Sequence, residues 1–171
     1  MKKVRVISFS AMLLACATVL GFFKVPITEV IELRFAFLPI AAAGSLFGPV
    51  VGALVGGLSD IFGYLVHPTG PFFPGFTISS ALQGMIFGLF LYKRPITWKR
   101  VIWANVVQTL VITMILNPIW LSVLYNMDFR VVFMSRLLKT VIMFPIETIM
   151  VYHVLKAVSA IYARQSVVYG S

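Results

Sequence analysis

The sequence predicts an all-α integral membrane bundle of six helices with both termini cytoplasmic, and three observations carry that prediction. Hydrophobic residues make up 60% of the 171-residue chain and charged residues only 11%, with a mean hydropathy of +1.00; a soluble domain of this length needs far more polar surface. At about 20 residues per crossing plus short loops, the length accommodates six spans and no separate soluble domain. The net charge of +9 sits at the ends of apolar runs, where the positive-inside rule places it, and not in a patch suited to nucleic acid.

The chain reads as a single transmembrane domain, 1–171, with spans at about 6–23, 35–47, 49–66, 77–92, 101–120 and 131–160. Lys2, Lys3 and Arg5 precede the first span. Its basic head resembles a signal peptide, but the run is long enough to cross and further helices follow, so it reads as a retained helix. Ala11 and Ala15 are four apart and share a face, which allows a second backbone to approach; ordinary packing is the competing use of such a pair. Cys16 is the sole cysteine, which leaves no disulfide framework or thiolate metal site.

In the loop 24–34, Lys24 and Arg34 offset Glu29 and Glu32, and Pro26 breaks the helix. Gly44, Gly48, Gly52 and Gly56 then recur every four residues across spans 2 and 3, a pattern for close helix contact, with Gly48-Pro49 as the turn. Asp60 lies inside span 3. A carboxylate there is costly and needs a partner, either a structural hydrogen bond to another helix or an ion. His67 and His153 stand far apart without an acidic cluster, so no metal site is expected.

Residues 70–84, GPFFPGFTISSALQG, interrupt the greasy pattern with glycine, proline and aromatics before span 4. The next loop carries Lys93, Arg94, Lys99 and Arg100. Span 5 holds Asn105, Gln108, Thr109, Thr113 and Asn117 on one helical stripe, which must face protein because unpaired amides are expensive in lipid. Interhelical bonding and ligand lining are both open to it. Span 6 places Arg136 and Lys139 on one face, includes Glu147, and has Pro145 as an expected kink.

The N-terminus, the loop after span 4 and the C-terminus, with Lys156 and Arg164, are basic without acids, and are therefore cytoplasmic. The outer half then combines the aromatic loop, the hydroxyls opening span 4, the amides of span 5 and the two cations of span 6. Such a pocket suits a planar, hydrogen-bonding anion arriving from outside. The chain lacks G-x-x-x-x-G-K-[ST], H-E-x-x-H, G-x-S-x-G and paired catalytic acids, so no catalytic residue is expected and energy must come from elsewhere. A self-contained secondary transporter using Asp60 or Glu147 is the alternative.

FLPIAAAGSLFGPVVGALVGGLSD, GPFFPGFTISSALQGMIFGLFLY, LNPIWLSVLY and RLLKTVIMFPIE together resemble the folate-specific substrate-binding (S) components of energy-coupling factor (ECF) vitamin transporters. The FPGFT segment and the run from Arg136 to Pro145 are the more specific parts; FLPI and FGP resemble features of S components for several vitamins, so another vitamin is the nearest alternative ligand. The resemblance implies a six-helix subunit that takes folate from outside and associates with a transmembrane coupling subunit and two cytoplasmic ATPases. It then topples in the bilayer to deliver its ligand. Folate is cargo, and no cofactor is implied. The resemblance also implies a contact with the coupling subunit at Ala11 and Ala15. Asn105 and Gln108 would lie near the pterin, with Phe76, Trp120 and Tyr125 as aromatic walls. Thr77 and Ser79 would add hydrogen bonds, Arg136 and Lys139 would hold the glutamate carboxylates, and Arg34 and His67 would stand at the rim. The implied setting is a bacterial plasma membrane.

Overall fold

The computed structural model describes residues 2–22, 24–26, 32–66, 72–126 and 128–168. Helix α1 spans Lys2–Phe22. Strands β1 (Lys24–Pro26) and β2 (Glu32–Arg34) form an antiparallel two-stranded ribbon in which Lys24 faces Arg34. Helices α2 (Phe37–Phe47), α3 (Pro49–Val66) and α4 (Pro74–Leu91) follow. Next come α5 (Trp98–Gln108), a π-helical segment (Thr109–Leu116), α6 (Asn117–Tyr125) and the long α7 (Phe129–Val168).

Among the described residues, five helical stretches are long and apolar enough to cross a membrane: Val4–Phe22, Pro49–Val66, Pro74–Leu91, Trp98–Tyr125 and Lys139–Ala163. Helix α2 is different. Its 11 residues rise only about 16 Å, roughly half the hydrocarbon thickness. Leu38 to Ser45 are all buried, which is what an all-round apolar sequence of that length requires. The expected loop 24–34 contains the ribbon, a short exception to the all-helical pattern.

Glycines bring α2, α3 and α4 together backbone to backbone. A Cβ on Gly84 would overlap the Gly52 carbonyl, and one on Gly56 would overlap that of Ser80. Across the same seam, a Cβ on Gly88 would come within 2.5 Å of the Pro49 Cα. Gly48 turns α2 into α3 at φ 99°, a conformation open to a residue without a Cβ. Next to this seam lies an apolar core that includes Phe87, Leu91, Val101, Val151 and Leu155. Phe9, Phe47 and Tyr162 meet edge-on or tilted at 5.3–6.5 Å between centroids, tying α1, the end of α2 and α7 together. Large apolar side chains such as Val50, Leu54, Leu58 and Leu65 on α3, and Val131, Met134 and Val141 on α7, point outward, the surface that lipid rewards.

Pro118 accounts for the wide helical segment upstream of it. Proline has no N–H and its ring crowds the carbonyl four residues back, here Met114. The backbone relaxes into five-residue closures: the Asn117 N–H bonds the Ile112 carbonyl, and the helix continues through Tyr125 without a break.

Candidate ligand-binding site

Aromatic packing builds the first part of the site at the start of α4. Phe73 is extended (φ −128°, ψ 115°) and Pro74 opens the helix, a position where the missing N–H costs nothing. Gly75 lies directly under an indole: a Cβ there would come within 2.6 Å of Trp120 Cδ2 and 2.5 Å of Phe73 Cε1. Phe73 contacts Trp120 at 5.6 Å and Phe76 at 6.0 Å between ring centroids. The Trp120 indole N–H donates to the Ser79 Oγ at 3.1 Å, and the Thr77 hydroxyl donates to Asp60 Oδ2 at 2.7 Å. Asp60 thus has the interhelical hydrogen bond that a carboxylate in span 3 needs. Phe76, Ser79 and Trp120 form one cluster with Phe73, and Thr77 lies beside it on the α3–α4 contact.

The polar stripe is buried at Asn105, Gln108 and Thr109. Asn105, 1% exposed, donates through Nδ2 to Thr148 Oγ1 at 2.7 Å, and the Thr148 hydroxyl donates to the Phe144 carbonyl at 2.7 Å. This amide joins α5 to α7. The Gln108 Oε1 accepts a long bond of 3.4 Å from the neighbouring Thr109 hydroxyl. Farther along the stripe, the buried Asn117 Oδ1 has no hydrogen-bond partner among the described residues.

The second part is a cleft of about 50 Å³ between the π-helical segment and α7, lined by Thr109, Thr113, Arg136, Lys139, Thr140, Met143 and Glu147. The α7 residues fall at offsets 0, 3, 4, 7 and 11, one helical face. The buried Thr140 Oγ1 lacks a hydrogen-bond partner among the described residues. Arg136 lies seven residues into α7, about 10 Å along its axis. A guanidinium, an ammonium and hydroxyls that share one cleft with the Glu147 carboxyl form a set able to bind a carboxylate. The cleft is much smaller than the 300–1,000 Å³ or so of whole small-molecule pockets, so it is sized for one end of a ligand.

Other expected residues stand apart. Tyr125 is exposed at the end of α6, before Asn126 in the left-handed region. Arg34 takes part through its ribbon backbone, its side chain being outside the described part, and His67 lies outside the described residues. Ala11 and Ala15 are exposed on α1. Sequence reasoning missed Thr148, Thr140, Met143 and the placement of Glu147 in the cleft. For Glu147 the signal was present, since it follows Lys139 by eight residues and Arg136 by eleven.

The family is settled by extent of match: the description "ECF transporter, substrate-specific component" fits residues 5–162. The chain belongs to the substrate-specific components of ECF transporters. This S component is 37% identical over 158 residues to the folate transporter FolT of Clostridium novyi, covering 92% of each chain. FolT of Leuconostoc mesenteroides is 32% identical over 151 residues, 85% of the S component and 81% of the relative. A crystal structure of FolT bound with folic acid matches with a TM-score of 0.80 and 36% identity, covering 88% of the S component and 92% of that chain. Membership makes the S component a multi-pass transporter subunit and not an enzyme.

Proposed function

We propose that this S component captures folate from the outer face of a bacterial plasma membrane and passes it inward within an ECF complex. The observation that carries the reading is the confined pairing of Arg136 and Lys139 in the α7 cleft, in a chain 36% identical to a FolT crystallised with folic acid. Folate ends in a glutamate with two carboxylates and begins in a flat pterin. Cations held away from water suit the first, and the Phe73, Phe76 and Trp120 cluster suits the second. Gln108 and the unpartnered Asn117 Oδ1 offer amide contacts between these ends. Asn105 serves by holding α5 on α7 through Thr148. Thr77 and Ser79 support the aromatic end through their bonds to Asp60 and Trp120.

In this reading α2 is the sixth membrane-embedded helix, the whole chain is one binding domain, and both termini are cytoplasmic, following the basic bias of those ends. The exposed face of α1, with Ala11 and Ala15 among Val4, Ile7 and Val19, meets the transmembrane coupling subunit, and two ATPases supply energy. Small residues on an outward face let a partner helix approach closely.

Equilibrium binding of labelled folate to the purified solitary subunit in lipid nanodiscs tests the reading. Saturable one-to-one binding without ATP, metal or partner subunits is expected. Lack of saturation, or displacement by a different vitamin at lower concentration, overturns it.

A further inference from the structure

We infer that the start of α5 and the stretch of α7 facing it form a binding site for the headgroup of an anionic phospholipid. The inference does not rest on the folate reading, since it concerns the outer surface of the bundle and not the cleft. Trp98 opens α5 and stacks on Tyr152 of α7, with ring centroids 4.0 Å and planes 18° apart. His153 stands edge-on to both rings, 6.2 Å from Trp98 and 5.6 Å from Tyr152. The Lys156 ammonium lies 5.9 Å from the centroid of the Tyr152 ring. Trp98, Lys99, His153 and Lys156 are all exposed. Over residues 92–104 and 148–164 the chain carries Lys93, Arg94, Lys99, Arg100, Lys156 and Arg164 and no Asp or Glu.

Two features decide the occupant. One helical turn beyond Trp98, on the same face of α5, Ile102 is exposed, and one turn before His153, on the same face of α7, so is Ile149. Both isoleucines lie in the same direction from the stack, because the helices run antiparallel: Trp98 meets Tyr152, and Asn105, farther along α5, bonds Thr148, farther back along α7. The surface therefore grades from cations through an aromatic stack to exposed aliphatic side chains. Both helices belong to stretches apolar enough to cross a membrane, so the aliphatic part meets acyl chains while aromatic rings and lysines take the headgroup level. A free anion would use only the cations, and an acidic protein segment would leave the isoleucines unmatched. A phosphodiester carrying acyl chains matches both parts, and basic residues between helices near the membrane surface recognise such headgroups. The methylenes of Lys156 can lie along apolar surface while its ammonium reaches the phosphate. The stacked rings are already fixed, so little side-chain freedom is lost on binding. The site is built on helices other than α1, which leaves the exposed face of α1 to the coupling subunit.

The test is native mass spectrometry of the subunit released from nanodiscs of mixed phosphatidylcholine and phosphatidylglycerol with matched acyl chains. Phosphatidylglycerol is expected to be retained over phosphatidylcholine by about tenfold or more. Lys156→Gln, at an exposed position that leaves the stack in place, should cut that preference by about fivefold, the usual effect of one basic residue beside an anionic surface. Lys99→Gln carries the same expectation and serves if Lys156→Gln fails to fold, which melting in pure phosphatidylcholine nanodiscs reveals. Arg130→Gln is the control: it removes an exposed cation about 39 Å from Lys156 along α7, well beyond the reach of a screened charge, and should leave the preference within about twofold. Absence of any preference overturns the inference. Equal losses in Lys156→Gln and Arg130→Gln also overturn it, because they would reflect net charge alone. Inorganic phosphate that raises the melting temperature in pure phosphatidylcholine as far as phosphatidylglycerol does would make the cluster a free-anion site. Lipid retention that survives Lys156→Gln while assembly with the coupling and ATPase subunits fails would give the cluster to a protein partner. Either result overturns the lipid site.

Discussion

Helices α2, α3 and α4 meet through glycine backbones, whereas the π-helical segment and α7 are held apart by long polar side chains. At the first contact Gly52 and Gly84 leave no room for a methyl group. At the second, two cations, a carboxylate and threonines enclose a cleft, and the Thr140 hydroxyl there has no hydrogen-bond partner among the described residues. The contrast shows how one small bundle divides its tasks. Backbone contact gains dispersion over a long seam and excludes ligand; side-chain contact between polar faces gives up packing and leaves groups that a ligand can satisfy.

The seam provides the largest expected effect. Gly84→Ala drives a Cβ against the Gly52 carbonyl and should cost about 3 kcal/mol of stability, seen as a lower melting temperature in nanodiscs. Gly63→Ala on the same pair of helices is the control, because nothing lies within 4 Å of its added methyl and alanine favours a helix. If the two variants melt alike, backbone contact is not what holds the seam. Arg136→Gln acts on the other region: it should weaken folate binding about thirtyfold or more while lowering the melting temperature less than Gly84→Ala does. Equal loss of stability in both would make the cleft a packing element. The smallest effect on binding belongs to Ala11→Trp and Ala15→Trp, whose side chains lie on the exposed face of α1 and in neither region. Folate binding by the solitary subunit should stay within about twofold of the unmutated value, while uptake by the assembled transporter falls. Loss of binding in the solitary subunit would make these alanines internal.

Most of the architecture was legible because its physics is local. Hydropathy marked the membrane class, and Gly48-Pro49 marked a turn. The four-residue glycine spacing marked close approach, although the glycines opposite it, Gly84 and Gly88, could be identified only in three dimensions. The π-helical segment was illegible because the conformational cost of Pro118 is met upstream, in residues with no unusual composition. The length of α2 was misjudged at its start: residues 35 and 36 are apolar, yet the helix begins at Phe37 beyond the ribbon. In the site, the shared face of Arg136 and Lys139 followed from helical spacing. The Asn105–Thr148 bond did not, because partners 43 residues apart leave no mark on the pattern of either helix.

The three tryptophans sit in three different surroundings, and that gives the molecule its own optical probes. Trp98 is stacked on Tyr152 at 4.0 Å, Trp103 points outward, and Trp120 stands among Phe73, Gly75 and Ser79. Replacing the first two with phenylalanine leaves a single fluorophore in the aromatic cluster. Its emission would follow the arrival and departure of a stacking solute in real time, without a label on either molecule.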